Sequence, residues 1–149
     1  MVDIVDAVTR SRMMAGIRRQ NTRPEIIVRQ SLHAMGLRFR LHRRDLPGVP
    51  DIVLPGRRIA IFVHGCFWHM HSNCQLSKLP ETRRDFWQAK LEANTRRDRR
   101  AVEALLSMGW RVLTVWECAV RTEEKATKLS EKLRQWIDGG DIIGEISGD

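Results

Sequence analysis

Residues 49–64 read VPDIVLPGRRIAIFVH, and the fold turns on what these sixteen residues do. Two short runs, VPDIVL and IAIFVH, are dominated by β-branched and other apolar side chains and flank the turn PGRR. Runs this short with a Pro-Gly break read as strands, and apolar residues at nearly every position mark strands covered on both faces. The expectation is an antiparallel hairpin in the interior of a sheet. Its polar exceptions stand at the ends. Asp51 sits at the mouth of the first strand and His64 closes the second, so a tight hairpin brings them near each other. Most aspartates after a proline are turn or cap residues. An acid on one strand beside metal-friendly groups on the next could also hold a metal ion. The second strand ends in Phe62-Val63-His64, with no carboxylate and no lysine.

Directly downstream, residues 64–74 read HGCFWHMHSNC. Cys66, His71 and Cys74 form C-x4-H-x2-C, and the third and last cysteine, Cys118, follows another apolar run, WRVLTVW at 110–116. If that run is a strand beside IAIFVH, Cys118 joins the other three in a Cys3His tetrahedron suited to zinc. The alternative is three free thiols acting as small buried hydrophobes. A four-ligand site has no open position, so a zinc here is structural. It leaves His64 and His69 unused and pins a loop whose tip is Phe67-Trp68. Either ring, taken singly, could instead fold back onto the protein.

The remaining segments surround this centre. Residues 9–20 form an Arg-studded helical pattern. Thr22 and Glu25 make a capping-box pattern with Pro24 in the first turn, Val28, Leu32 and Met35 follow at helical spacing, and Gly36 stops the helix. LRFRLH at 37–42 alternates like a strand with one wet face. Residues 82–108 are helical with Arg96, Arg97, Arg99 and Arg100 midway, and Gly109 ends them. A last helix opens at Thr122 with Ala126, Leu129, Leu133, Trp136 and Ile137 on one stripe. The order α-α-β-β-β-α-β-α gives an α/β chain with a mixed central sheet flanked by helices, one domain over 1–149. Residues 140–149 read as a flexible tail.

Composition points to a polyanion. The chain has 26 basic against 18 acidic residues, net +8, and 21 of the 26 are arginine. Residues 1–50 hold ten arginines and four acids, so the charge is concentrated at the front. Arginine's planar fork suits phosphates and base edges, and nucleic acid is the expected partner over a merely solvated basic surface. Residues 1–20 are expected to be a basic, DNA-contacting segment. No apolar run of about 18 residues exists to span a membrane. Neither a secretory signal nor a pairable cysteine set is visible, so a cytoplasmic protein is expected.

These motifs together carry a family resemblance. TRSRMM (9–14), LPGVPDIVLP (46–55), IFVHGCFWHMHSNC (61–74), FWQAKLEANTRRDRR (86–100) and GWRVLTVWEC (109–118) resemble the very-short-patch-repair (Vsr) DNA mismatch endonucleases. The resemblance implies a restriction-endonuclease-like fold with a structural zinc. It implies a magnesium-dependent, strand-specific endonuclease that nicks 5′ of the T in T:G mismatches left by deamination of 5-methylcytosine. Family roles fall on Asp51 and the Val63 backbone carbonyl as magnesium ligands and His69 as general base, with His64 and Glu25 ordering water around the metal. Cys66, His71, Cys74 and Cys118 match the zinc ligands, and Phe67, Trp68 and Met14 match residues wedged into the duplex. Glu25 could equally be a capping acid only.

Two departures stand out. A threonine of the family is replaced by Val63, which keeps the carbonyl but offers no hydroxyl. The loop between His71 and Cys74 is one residue longer, at Ser72-Asn73. Implied partners are double-stranded DNA with a T:G mismatch, a cytosine-5 methyltransferase and mismatch-repair proteins. The enzyme would be a monomer in the bacterial cytoplasm, associated with the nucleoid when acting. The rival reading is a non-catalytic, zinc-stabilised DNA-binding module.

Overall fold

Ile52, Val53 and Leu54 are all buried, which requires cover on both faces of their strand. The computed structural model, which describes residues 20–148, places them in β2 (Ile52–Leu54), antiparallel to β3 (Ile59–His64). A 3-10 turn at Pro55–Arg57 and a left-handed Arg58 (φ 53°) close the hairpin. β4 (Arg111–Trp116) runs parallel to β3, with Ile59 opposite Arg111 and His64 opposite Trp116. The strand ends that carry the cysteines therefore lie side by side. The five-stranded sheet has the order β1-β2-β3-β4-β5, with β1 (Arg40–Leu41) antiparallel to β2 and β5 (Ile143–Ile146) parallel to β4.

Side chains alternate across the sheet as the pleat dictates. On one face, Ile52, Leu54, Ile59, Ile61, Leu113 and Val115 pack with Val28 and Leu32 of α1 (Arg23–Ala34). The same layer takes Leu129, Leu133 and Ile137 of α3 (Glu123–Asp138). On the other face, Val53, Ala60, Phe62 and Val112 meet Leu105 of α2 (Arg84–Ser107), with Leu46 and Trp110 at the margin. Gly48 lies where a loop presses on α2. Its φ is +74°, and an added Cβ would stand 2.5 Å from that of Ala101, so no larger residue fits without displacement.

Helix starts follow the sequence. Thr22 Oγ1 accepts from the Glu25 N–H (3.3 Å) and Thr122 Oγ1 from the Lys125 N–H (3.2 Å). Gly36 and Gly109 follow the first two helices at positive φ. The helical pattern at 9–20 and Met14 lie outside the described residues, as does all but the last residue of the segment 1–20.

Two expectations need correction. The 140–149 segment, read as a flexible tail, contains β5, with Ile146 buried in the α1–α3 core. Hydrogen bonding to β4 makes that strand, and such long-range pairing leaves little local pattern. The 37–42 strand is only Arg40–Leu41, and Leu41 is exposed while Leu37 and Phe39 pack inward. The reason stands next in the chain: His42 is left-handed (φ 48°) and breaks the extended run.

Candidate active site and metal cluster

The parallel register of β3 and β4 builds the cysteine cluster. Cys66 leaves β3, Cys118 sits in the 3-10 turn Glu117–Val120 after β4, and both are buried. The loop between brings back His71 and Cys74. One ligand atom from each of Cys66, His71, Cys74 and Cys118 lies within 4.8 Å of all the others, so the four could hold one metal ion. The arrangement is fixed from several sides. Cys118 Sγ is 3.5 Å from His71 Nδ1 and accepts from the Gly148 N–H. The His71 ring stacks on Trp116 at 4.1 Å, and Glu117 Oε1 accepts from the Cys66 N–H. Burial, with Cys118 beside it, pushes the Cys66 thiol far above the ordinary thiol range. A cation is the partner that reverses such a shift and stabilises the thiolate. The donor set of three sulfurs and one imidazole is that of a closed structural zinc site.

A second centre lies around the start of β2 and the end of β3, in a cleft of about 380 Å³ lined by His42, Asp51, Val63, His64, His69 and Asp98 among others. Asp51 Oδ2 accepts from the Val63 N–H at 2.7 Å across the hairpin. Burial raises the Asp51 carboxyl to about 6, against the opposing pull of that N–H and of Arg29. Such a carboxylate is short of positive charge, which a divalent cation would supply. Glu25, 2 % exposed, faces the same region from α1 and forms an ion pair with Arg29. It also accepts from the Asn21 N–H. Its back-bond thus goes to the residue before the N-cap Thr22, rather than to the N-cap itself.

His64 and His69 stack face to face, ring centroids 3.7 Å apart and 4° from parallel. Burial, then the neighbouring His69, holds the His64 imidazole well below its usual pKa, so His64 is neutral and the two rings stack without repulsion. His69 Nδ1 lies 2.5 Å from Asp98 Oδ2 on α2. An ionised carboxylate only accepts, so Nδ1–H donates to Asp98 and the ring's lone pair is on Nε2.

The aromatic tip is not free-standing. Phe67 and Trp68 meet edge to face at 5.1 Å, and both rings pack on Trp87 of α2 at 5.7 and 5.8 Å. Asn94 donates to the Trp68 carbonyl. All the sequence-derived residues inside the described range thus fall into two adjacent groups and one aromatic cluster.

A family model described as DNA mismatch endonuclease Vsr matches residues 2–76. Relatives extend the likeness over the chain. The DNA mismatch endonuclease Vsr of Escherichia coli is 47 % identical over 98 % of this chain and 94 % of its own length. The type II nicking enzyme V.XorIIP of Xanthomonas oryzae pv. oryzae is 53 % identical over 93 % of this chain and 98 % of its own length. The chain belongs to the Vsr family. It is a DNA endonuclease, a hydrolase with its place in DNA repair. That sets aside the non-catalytic binding module, and it makes the cleft of a Vsr-family enzyme the place to look for chemistry.

Two cleft residues escaped the sequence reading. Asp98 was hidden among Arg96, Arg97, Arg99 and Arg100, and its signal is that it is the one acid in that cluster. His42 read as a wet-face strand residue, yet its Nε2 lies 3.2 and 3.1 Å from the two Glu25 carboxylate oxygens. Among the described residues no helix is long and apolar enough to cross a membrane.

Proposed function

We propose that this enzyme nicks one strand of duplex DNA 5′ of the T in a T:G mismatch, in a magnesium-dependent hydrolysis that starts very-short-patch repair. The observation that carries the chemistry is the His69–Asp98 pair opening on the same cleft as Asp51. His69 Nε2 takes the proton from an attacking water while Asp98 accepts from Nδ1 and stabilises the imidazolium that forms. The water oxygen bonds to phosphorus, and the bond to the leaving sugar oxygen breaks. Asp51 and the Val63 carbonyl would hold magnesium, which when bound supplies positive charge to the scissile phosphate. Glu25 and His64 orient water in the cleft. Cys66, His71, Cys74 and Cys118 would hold zinc, which cross-links the ends of β3 and β4 and shapes the loop between.

Phe67 and Trp68, with Met14, act as wedges in the duplex. Unstacking a base step costs least at a mismatch, so the wedge favours T:G over matched pairs. Support for this comes from the position of the rings: the loop that carries them also carries His69. Arginines on α2, among them Arg97 in the cleft wall, grip phosphates. The protein acts as a monomer in the bacterial cytoplasm, at the nucleoid, on mismatches made at the target sites of a cytosine-5 methyltransferase. It hands the nick to mismatch-repair proteins.

Two duplexes that differ only in one T:G against C:G pair test the proposal. With magnesium the T:G duplex should be nicked once, in the T strand on the 5′ side of the T. The C:G duplex should stay whole, and a chelator should stop the reaction. Equal cutting of both duplexes would refute the specificity, and undiminished cutting in the chelator would refute the magnesium requirement.

A further inference from the structure

His42 touches both Asp51 and Glu25. Its backbone N–H donates to the Asp51 carbonyl at 3.0 Å. Its ring Nε2 stands within hydrogen-bond reach of both Glu25 oxygens, at 3.2 and 3.1 Å. Glu25 comes from α1 and Asp51 from the mouth of β2, and their ligand atoms, with a ring nitrogen of His42, all lie within 4.8 Å of one another. The backbone is bent to make this possible. His42 has φ 48°, a left-handed conformation uncommon outside glycine, and strain of this kind persists where surrounding structure demands it.

We infer that His42 is a positioning residue: it clamps the Glu25 carboxylate against the Asp51 segment and so sets the spacing of the two acids toward a divalent cation. The inference rests on the reading of Asp51 as a magnesium-holding acid. The ring donates from Nε2, since an ionised carboxylate can only accept, and Arg29 holds the other side of Glu25. Glu25 is thereby held from two directions. His42 also lines the cleft.

Manganese binding to the full-length protein, followed by electron paramagnetic resonance without DNA, tests the clamp. Outer partners of metal-site acids typically contribute about 10- to 100-fold in affinity. His42→Phe keeps the ring volume and loses the donor, so manganese affinity should fall about tenfold or more. His42→Gln keeps an amide donor and should bind close to the parent. If His42→Phe does not fold, His42→Ala takes its place under the same expectation. Asp51→Ala, measured alongside, should lose manganese. Loss in Asp51→Ala with parental binding in the His42→Phe protein overturns the clamp alone. Parental binding in both overturns the Asp51 reading and the clamp with it. A His42→Gln protein as weak as His42→Phe would show that ring shape, not the donated hydrogen bond, matters, and would also overturn it.

Discussion

The cysteine cluster and the cleft stand at neighbouring strand ends and are built on opposite principles. Cys66, His71, Cys74 and Cys118 offer four soft or borderline donors from the protein itself, two of them buried in the sheet's end. Such a set saturates a tetrahedral ion and leaves nothing for a substrate. Asp51, His42, His64, His69 and Asp98 are hard or neutral groups around an open space, with buried Glu25 beside Asp51 and His42. They leave room for water and phosphate. The same loop, residues 65–74, carries members of both sets: Cys66, His71 and Cys74 of the first and His69 of the second.

The contrast can be broken most sharply at Asp51. Asp51→Ala should lower nicking by more than about 10³-fold, the loss of several kcal/mol of transition-state stabilisation. Binding to T:G duplex, measured by titration at fixed salt, should change little. Equal loss of binding and cutting would make Asp51 a scaffold residue and erase the distinction. Cys118→Ser attacks the other side. It should lower Tm by about 10 °C, since at this length each kcal/mol is worth about 2–4 °C, and calorimetry reads it directly. Parental melting would show that the fourth ligand is not needed to hold the two strand ends.

Asp98→Asn sharpens the cleft's own account. An amide can no longer stabilise the imidazolium or enforce the Nδ1–H tautomer, so kcat should fall roughly 10²-fold with little change in DNA affinity. A parental kcat would mean that the His69–Asp98 contact only ties α2 to the loop. The smallest effect belongs to the aromatic cluster. Phe67→Ala and Trp68→Ala should each weaken T:G binding by about 1–3 kcal/mol, with matched duplex affected much less. Because both rings also pack on Trp87, each variant should melt slightly lower. A variant that still separates T:G from C:G like the parent would place mismatch recognition elsewhere.

What the sequence disclosed follows the same division. Residues 49–64 were legible because β-branched runs around Pro55-Gly56 leave only one reading. The Thr22 and Thr122 caps and the Leu129–Leu133–Ile137 stripe were legible because they are local. Cys118 could be joined to Cys66 because two buried parallel strands put their ends together. β5 was not legible, since Ile143 and Glu145 are exposed and only pairing with β4 makes them a strand. Asp98 and His42 were illegible for a related reason. Each has its meaning from a partner 29 and 17 residues away, and neither spacing has a local period. The aromatic tip was legible as chemistry but not as packing: Trp87 sits in a helical pattern that says nothing about Phe67.

The separateness of the two centres is tested most directly by the metal content of purified parent, Asp51→Ala and Cys118→Ser proteins, measured by mass spectrometry after dialysis. The parent and the Asp51→Ala protein should each retain a single tightly held zinc ion per chain, and Cys118→Ser should retain almost none. Zinc lost from Asp51→Ala, or kept in full by Cys118→Ser, would contradict the division between a closed cluster that holds the fold and an open cleft that cuts DNA.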